Sequence, residues 1–389
     1  CGNPIKVDNI IPEHVDSLIS KLEEIGVDIQ VGADYVIVTR GEKYKSTNVK
    51  TAVYPGFPTD LQQPFTVLLT QSNGKSKVTE TIWENRFMHI PYLNDLGADI
   101  VVKNQTATIV GKSELKGTNV VATDLRAGAA MVAAGLKAEG KTTITNAACE
   151  PHIQDLCNML NLMGAKITGI GSNILYIEGV EKLHGCEFTI GPDYMEIGSF
   201  IGLAAATKGS ITIEGIKPED MRPLKIGFNK LGISWTINGT TLSVSSVQEM
   251  KTNADIGSKI PKIDDSPWPG FPPDLTSIMT VVATQVEGTV LIFEKMFESR
   301  MFFVDKLLNM GAQITLCDPH RAVVSGPSTL HGDHLVSPDV RAGMAMVIAA
   351  MAAHGESRIS NVYQIERGYE HLVERLQGLG AKIKKVSVE

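Results

Sequence analysis

Four aspartates and four arginines recur in this chain in the same order and at nearly the same separation. Asp60 closes the phrase Pro55-Gly56-Phe57-Pro58-Thr59-Asp60, and Asp274 closes Pro269-Gly270-Phe271-Pro272-Pro273-Asp274. Arg86 lies in Glu84-Asn85-Arg86-Phe87-Met88-His89, and Arg300 in Glu298-Ser299-Arg300-Met301-Phe302-Phe303. Arg126 follows Asp124 in Thr123-Asp124-Leu125-Arg126-Ala127-Gly128, and Arg341 follows Asp339 in Pro338-Asp339-Val340-Arg341-Ala342-Gly343. Asp60 and Asp274 stand 214 residues apart, as do Arg86 and Arg300; for Asp124 and Asp339, and for Arg126 and Arg341, the separation is 215. A carboxylate reached through prolines and glycine is rigidly presented. It can cap a helix, or it can orient a hydroxyl and accept its proton. An arginine in the first turn of a helix, the position expected for Arg86 and Arg300, opposes the helix dipole and calls for a bound anion or a carboxylate partner. Arginine together with a helix N-terminus suits phosphate or carboxylate. A third helix start, Pro192-Asp193-Tyr194-Met195, keeps the aspartate and replaces the arginine by methionine. The aspartate is therefore read as a structural cap, and Arg126 and Arg341 as the functional candidates. Arg367, in Glu366-Arg367-Gly368-Tyr369, is a further cation, and the counterpart Ala148-Cys149-Glu150-Pro151 has none. Cys149, near a helix start, is a nucleophile or an inert thiol, the second being the commoner case.

The elements that must position these residues form an internal repeat. An apolar helix end, a glycine and a strand recur at Gly26, Gly97, Gly164, Gly232, Gly311 and Gly380, at spacings of 71, 67, 68, 79 and 69 residues. Such self-similarity indicates repeated supersecondary units, and the glycine marks a helix C-cap. A second helix type runs from an aspartate to a glycine: Asp60 to Gly74, Asp124 to Gly140, Asp193 to Gly209, Asp274 to Gly288 and Asp339 to Gly355. Its interior is apolar on nearly every face, so it is buried. Each unit thus has one buried helix, one amphipathic outer helix and β segments such as 142–146 and 210–214. The expected fold class is α/β, two lobes built from about six repeated units with the first truncated. Gly2 stands where the missing first helix would end. The lobe boundary is placed near residue 188, giving lobes 1–188 and 189–389.

Composition narrows the function classes. A length of 389 residues exceeds one ordinary core. A formal charge of −7 argues against a nucleic-acid partner, and no apolar run approaches the roughly 20 residues of a membrane span. No secretory signal is visible at the start, although the first residue is Cys1 rather than Met and need not be a native start. Cys1, Cys149, Cys157, Cys186 and Cys317 are scattered, which suits reduced thiols in a cytoplasm. His331 and His334 are a close pair in a glycine-containing turn, read as a loop rather than a metal site. Neither a metal nor a cofactor is expected.

The phrases Phe57-Pro58-Thr59-Asp60, Glu84-Asn85-Arg86-Phe87-Met88-His89, Ala122-Thr123-Asp124-Leu125-Arg126 and Arg367-Gly368-Tyr369-Glu370 resemble those of the enolpyruvyl transferase family. The resemblance covers essentially the whole chain. It implies a two-lobed inside-out α/β barrel and transfer of enolpyruvyl from phosphoenolpyruvate to the 3-hydroxyl of UDP-N-acetylglucosamine, a step of peptidoglycan synthesis. It also implies that Asp274 contacts that hydroxyl and takes its proton, and that the backbone of Met296 contacts the nucleotide sugar. By the same resemblance Arg341 and Arg367 surround phosphoenolpyruvate, Asp339 lies beside them, and Arg300 has a structural or closure role. Asp60, Ile82, Arg86, Asp124 and Arg126 match the same positions as a second copy. The family's first lobe carries a Lys-Asn pair and a Gly-Gly-Cys loop followed by Arg-Pro. Here Lys103-Asn104 has other flanks, and Gly185-Cys186 is followed by Glu187-Phe188-Thr189. Residues 1–147 instead resemble a C-terminal-type lobe, joined near 147 to the end of an N-terminal-type lobe. The alternative implied by that arrangement is a nucleotide-sugar-binding or structural relative with impaired catalysis. The sister reaction on shikimate 3-phosphate fits the quoted phrases poorly.

Overall fold

A computed structural model describes residues 4–298 and 300–386. Cys1, Gly2 and Ser299, all named above, lie outside the described residues. The chain divides into two compact units, one ending at Ile190 and one beginning at Gly191.

In the first unit, β1 (Ile5–Asp8), α1 (Asp16–Glu24), β2 (Asp28–Val31) and β3 (Tyr35–Thr39) form a sheet of order β1-β3-β2 with one helix. The next repeat is β4 (Asn48–Lys50), α2 (Gln62–Leu69), β5 (Gly74–Thr79), α3 (Ile90–Asp95), β6 (Asp99–Lys103) and β7 (Thr106–Gly111), with order β4-β5-β7-β6. The third is β8 (Asn119–Val121), α4 (Leu125–Lys137), β9 (Lys141–Thr145), α5 (Pro151–Leu162), β10 (Lys166–Thr168) and β11 (Ile174–Glu178), with order β10-β11-β9-β8. Each complete repeat pairs its first two strands in parallel across a buried helix and closes with an antiparallel hairpin. Parallel neighbours require such a crossover.

In the second unit, α6 (Tyr194–Ala206), β12 (Ile211–Ile213), α7 (Met221–Lys230), β13 (Thr236–Asn238) and β14 (Thr241–Val244) give order β12-β14-β13. Then follow β15 (Lys262–Asp264), α8 (Thr276–Ala283), β16 (Gly288–Phe293), α9 (Val304–Asn309), β17 (Gln313–Asp318) and β18 (Arg321–Gly326), with order β15-β16-β18-β17. Last come β19 (His334–Val336), α10 (Val340–Ala352), β20 (Arg358–Ser360), α11 (Tyr363–Glu366) and α12 (Leu372–Gly378), with β19 parallel to β20.

Helices α6, α8 and α10 pack on one another at the centre of the second unit, and every residue of α8 is buried. Close approach is built into α6. A Cβ at Gly202 would lie 2.6 Å from Ile278 Cγ2, and one at Gly198 2.6 Å from Leu275 Cδ1. Each fully buried Ile, Leu or Met contributes about 1.5–3 kcal/mol relative to exposure, so this three-helix seam is a large contributor to the unit's stability. The amphipathic α7 and α9 pack on the sheets, against β15 and β17.

All six repeat glycines have positive φ, from 69° at Gly232 to 103° at Gly97. After each, the next amide donates back to a carbonyl five residues earlier, as Val27 to Leu22 at 3.0 Å and Ala312 to Leu307 at 2.9 Å. This is the Schellman termination, which an L-residue at that position would strain.

Three expectations about helix ends require correction. Asp124, Asp193 and Asp339 do cap their helices, each accepting two backbone N–H groups. Asp60 and Asp274 do not. They sit inside short 3-10 turns at Thr59–Leu61 and Pro273–Leu275, which are closed by the Leu61 and Leu275 amides on the carbonyls of Pro58 and Pro272. The first-turn position expected of Arg86 and Arg300 is also absent, because both precede their helices, which start at Ile90 and Val304. Gly74 and Gly288 begin strands rather than end helices. Among the described residues no helix is long and apolar enough to cross a membrane.

Candidate functional site

The second unit gathers one carboxylate and two guanidinium groups. The 3-10 turn before α8 presents Asp274. Oδ1 accepts from Arg300 Nη1 at 2.7 Å, and Oδ2 lies 3.2 Å from Arg341 Nη2. Arg300 comes from the loop after β16 and lies over the Phe297 ring, 4.2 Å from its centroid. Arg341 comes from the first turn of α10, where Asp339 Oδ1 accepts the Arg341 and Ala342 amides at 2.7 and 2.9 Å. Asp339 thus fixes the turn that aims Arg341. Gly343 makes the same turn fit, since a Cβ there would meet Ser337 Oγ at 2.3 Å and Ile365 Cγ1 at 2.5 Å.

Burial alone would raise the Asp274 carboxyl, but the guanidinium groups of Arg341 and Arg300 outweigh it and hold Asp274 below its ordinary value. Burial likewise works against the Arg341 charge, and Asp274 reverses that, with Tyr369 and Asp193 adding to it. The site therefore holds a fixed anion between two fixed cations at neutral pH. Arg341 also reaches Met195 Sδ at 3.2 Å, at the very place where the third helix start carries methionine instead of arginine.

Tyr369 is buried, and its hydroxyl pairs with Ser199 Oγ at 2.8 Å, tying the segment after α11 to α6 beside Arg341. Replacing Tyr369 by Phe should cost the second unit about 1 kcal/mol, the usual net value of one buried hydrogen bond. Urea denaturation should show a lowered midpoint with an unchanged slope. An unchanged midpoint would mean that the hydroxyl does not secure this junction.

The first unit repeats the triad with different surroundings. Asp60 Oδ1 lies 2.8 Å from Arg86 Nη2, and Oδ2 lies 2.9 Å from Arg126 Nη2. Arg86 Nη1 also donates to Thr59 Oγ1 at 2.8 Å, and Asp124 Oδ2 accepts from Gln63 Nε2 at 2.7 Å. Burial raises the Asp60 carboxyl, and Arg126 with Arg86 brings it below its ordinary value. The Asp60 side chain is 50% exposed, against 26% for Asp274. The Asp274 triad is therefore the less hydrated of the two, and there charge–charge interactions are the stronger. His89 lies beneath the first triad with its imidazole buried, and burial pushes it down to about 4, leaving it neutral. Its counterpart is Phe303, which fits an apolar supporting position.

Met296 is partly exposed in the loop after β16, its N–H donating to Asp265 Oδ2 at 3.1 Å. Ile82 holds the same place in the first unit, its N–H donating to Glu80 Oε1 at 2.8 Å. Arg367 ends α11 as an exposed residue and is not drawn into the Asp274 cluster; among the described residues no side-chain hydrogen bond or ion pair engages it. Cys149 is half-buried, and burial and Glu150 push its thiol up, away from a reactive thiolate. Sequence reasoning missed Glu80, Glu294, Asp265 and Tyr369. The 214-residue separation of Glu80 and Glu294 was the signal that could have found the first two.

The family model for EPSP synthase (3-phosphoshikimate 1-carboxyvinyltransferase) matches residues 1–149 and again residues 129–376. This chain belongs to that family of enolpyruvyl transferases. The UDP-N-acetylglucosamine 1-carboxyvinyltransferase of Treponema denticola is 66% identical over 299 residues, spanning 76% of this chain and 70% of the relative. The protein of that name from Treponema pallidum is 66% identical over 65% of this chain, a stretch that is 59% of the relative. The one from Borrelia garinii is 47% identical over 97% of this chain and 91% of the relative. Among solved structures, the enolpyruvyl transferase NikO from Streptomyces tendae superposes with a TM-score of 0.78 at 20% identity, covering 99% of this chain and 91% of that one. EPSP synthase from Acinetobacter baumannii gives 0.73 at 16%, covering 97% and 90%. These two likenesses bear out the α/β fold class. In this enolpyruvyl transferase both matched segments carry a complete Asp-Arg-Arg triad.

Proposed function

We propose that this chain transfers the enolpyruvyl group of phosphoenolpyruvate to the 3-hydroxyl of UDP-N-acetylglucosamine and releases phosphate. The observation that carries the reading is Asp274, held ionised between Arg300 and Arg341 in a partly dehydrated site. In the proposed reaction the sugar oxygen bonds to C2 of the enolpyruvyl group. The phosphate leaves with its bridging oxygen, and the hydroxyl proton ends on that phosphate. Asp274 orients the hydroxyl and accepts its proton in passing. Arg341, with Arg367 at the exposed end of α11, balances the charge of phosphoenolpyruvate. Met296 contributes its backbone to the nucleotide sugar, Arg300 holds Asp274, and Asp339 sets Arg341. Asp60, Ile82, Arg86, Asp124 and Arg126 are a second, more hydrated copy.

The names of the Treponema and Borrelia relatives support this acceptor. From the family resemblance we further propose a place in peptidoglycan and cell-wall synthesis in the cytoplasm, and through it in cell shape, cell cycle and division. We further propose that residues 1–188 are a C-terminal-type lobe joined near 147 to the end of an N-terminal-type lobe. The overlap of the two family matches at 129–149 supports such a join. Phosphate release should require both substrates together; release from phosphoenolpyruvate alone, or none at high enzyme, contradicts the transferase reading.

A second reading is favoured by the unreactive setting of Cys149. It is a binder of the nucleotide sugar without turnover. Calorimetry would then show UDP-N-acetylglucosamine binding with no phosphate produced.

A further inference from the structure

Glu80 and Glu294 occupy one position in the two units, directly after β5 and β16, and both are buried. Their surroundings differ. Around Glu80, Thr51 Oγ1 donates to Oε1 and Thr59 Oγ1 to Oε2, each at 2.8 Å. The amides of Ile82 and Trp83 add bonds to Oε1 at 2.8 and 3.2 Å. Four donors thus converge on the Glu80 carboxyl group. In the second unit Thr51 is replaced by Asp265 and Thr59 by Pro273. Asp265, also buried, takes over the loop amides, with Met296 N–H on Oδ2 at 3.1 Å and Lys295 N–H on Oδ1. Among the described residues no backbone amide donates to the Glu294 carboxyl, and neither of its oxygens has a partner in full hydrogen-bond geometry. It faces Asp265 and the Thr276 hydroxyl, with Arg300 a weaker attraction. The His320 ring bonds the Glu294 backbone carbonyl at 2.8 Å and not its carboxyl.

We propose that Glu294 is a neutral carboxylic acid sharing its proton with Asp265, and that this pair is a positioning device for the Lys295–Met296 segment beside Arg300. Two carboxylates in one dry site cannot both ionise cheaply. The charge settles on Asp265, which has the amide donors, and the proton on Glu294, which has none. Burial and Asp265 push Glu294 up to about 8, in keeping with that assignment. Loss of the shared proton sets two like charges against each other, and the amide clamp on Lys295 and Met296 weakens.

The sign follows from linkage. A carboxyl whose folded value is raised contributes stability that is complete below its unfolded value, 4.5, and lost as pH rises through about 8. Glu294→Gln mimics the protonated acid at every pH. Thermal unfolding of the full chain between about pH 5 and pH 9 should show Glu294→Gln gaining on the wild type by several degrees toward the alkaline end. Infrared difference spectra of the folded wild type at neutral pH should contain the carbonyl stretch of a buried protonated carboxyl that Glu294→Gln lacks. Asp265→Thr, which restores the first unit's threonine opposite the glutamate and removes the second carboxylate, should abolish that band as well. A wild-type pH profile parallel to that of Glu294→Gln, or no such band, would overturn the proposal. The role toward substrate rests on the function proposed above: KM for UDP-N-acetylglucosamine should rise several-fold between pH 7 and pH 9 with a smaller change in kcat, and should stay flat in Glu294→Gln. A KM profile that does not differ between the two would overturn that role, while the thermal and infrared readouts decide the shared proton even if the chain turns nothing over.

Discussion

Replacement of Arg341 by Ala should lower kcat/KM for phosphoenolpyruvate by about 100- to 1,000-fold, the range seen when one preorganised charge donor is removed from a transition state. Arg341 is held from three directions. Asp339 fixes its backbone, Asp274 pairs with its guanidinium, and Met195 Sδ lies within reach of Nη2. Such preorganisation is what gives a cation leverage on developing phosphate charge. Arg341→Lys should recover little, because a single ammonium cannot reproduce the planar fork that meets Asp274 and a second anion together. Steady-state kinetics with both substrates varied checks this, and a loss below about tenfold in either variant would remove Arg341 from the chemistry.

Replacement of Asp274 by Asn should lower kcat by about 100- to 10,000-fold, as expected when a positioned proton acceptor is lost. The substitution keeps the shape and removes the charge, so it also leaves Arg300 and Arg341 facing each other without an anion. The three side chains are 19–33% exposed, and solvent screening therefore tempers the stability cost to about 1–3 kcal/mol rather than that of a fully buried pair. The pH dependence has a definite sign. The folded value of Asp274 is depressed, so its contribution is present above the unfolded value, 3.8, and is lost as pH falls through the folded one. The stability gap between wild type and Asp274→Asn should accordingly close on acidification below about pH 4, as followed by circular dichroism. A gap that persists unchanged would mean that the charge of Asp274 is not what Arg300 and Arg341 require.

The repeat was legible because its signals are local. A glycine at a Schellman terminus and an aspartate that accepts its own helix's amides act within six residues, and all six glycines and three of the aspartates behave accordingly. The Asp-Arg-Arg set was legible as a list of residues but not as a site. Asp274 meets partners 26 and 67 positions away, and no spacing rule states that they converge. That Asp60 and Asp274 are not caps, one of the two readings open in the sequence, has a physical source: Pro58 and Pro272 start a 3-10 turn, which carries each aspartate past the cap position and frees its carboxylate for the arginines. Glu294 was hidden for a different reason. Its protonation depends on whether threonine or aspartate stands opposite, a comparison that only the folded neighbours of Glu80 and Glu294 supply. Arg367 shows the reverse, a residue conspicuous in the sequence that stands exposed at a helix end and makes no side-chain pair among the described residues.

The most direct test of the account is phosphate release with both substrates present, compared among the wild type, Asp274→Asn and Asp60→Asn under one set of conditions. The account predicts turnover in the wild type, turnover within a few-fold of it in Asp60→Asn, and loss of at least about 100-fold in Asp274→Asn. Equal losses in the two variants, or a loss confined to Asp60→Asn, would contradict it.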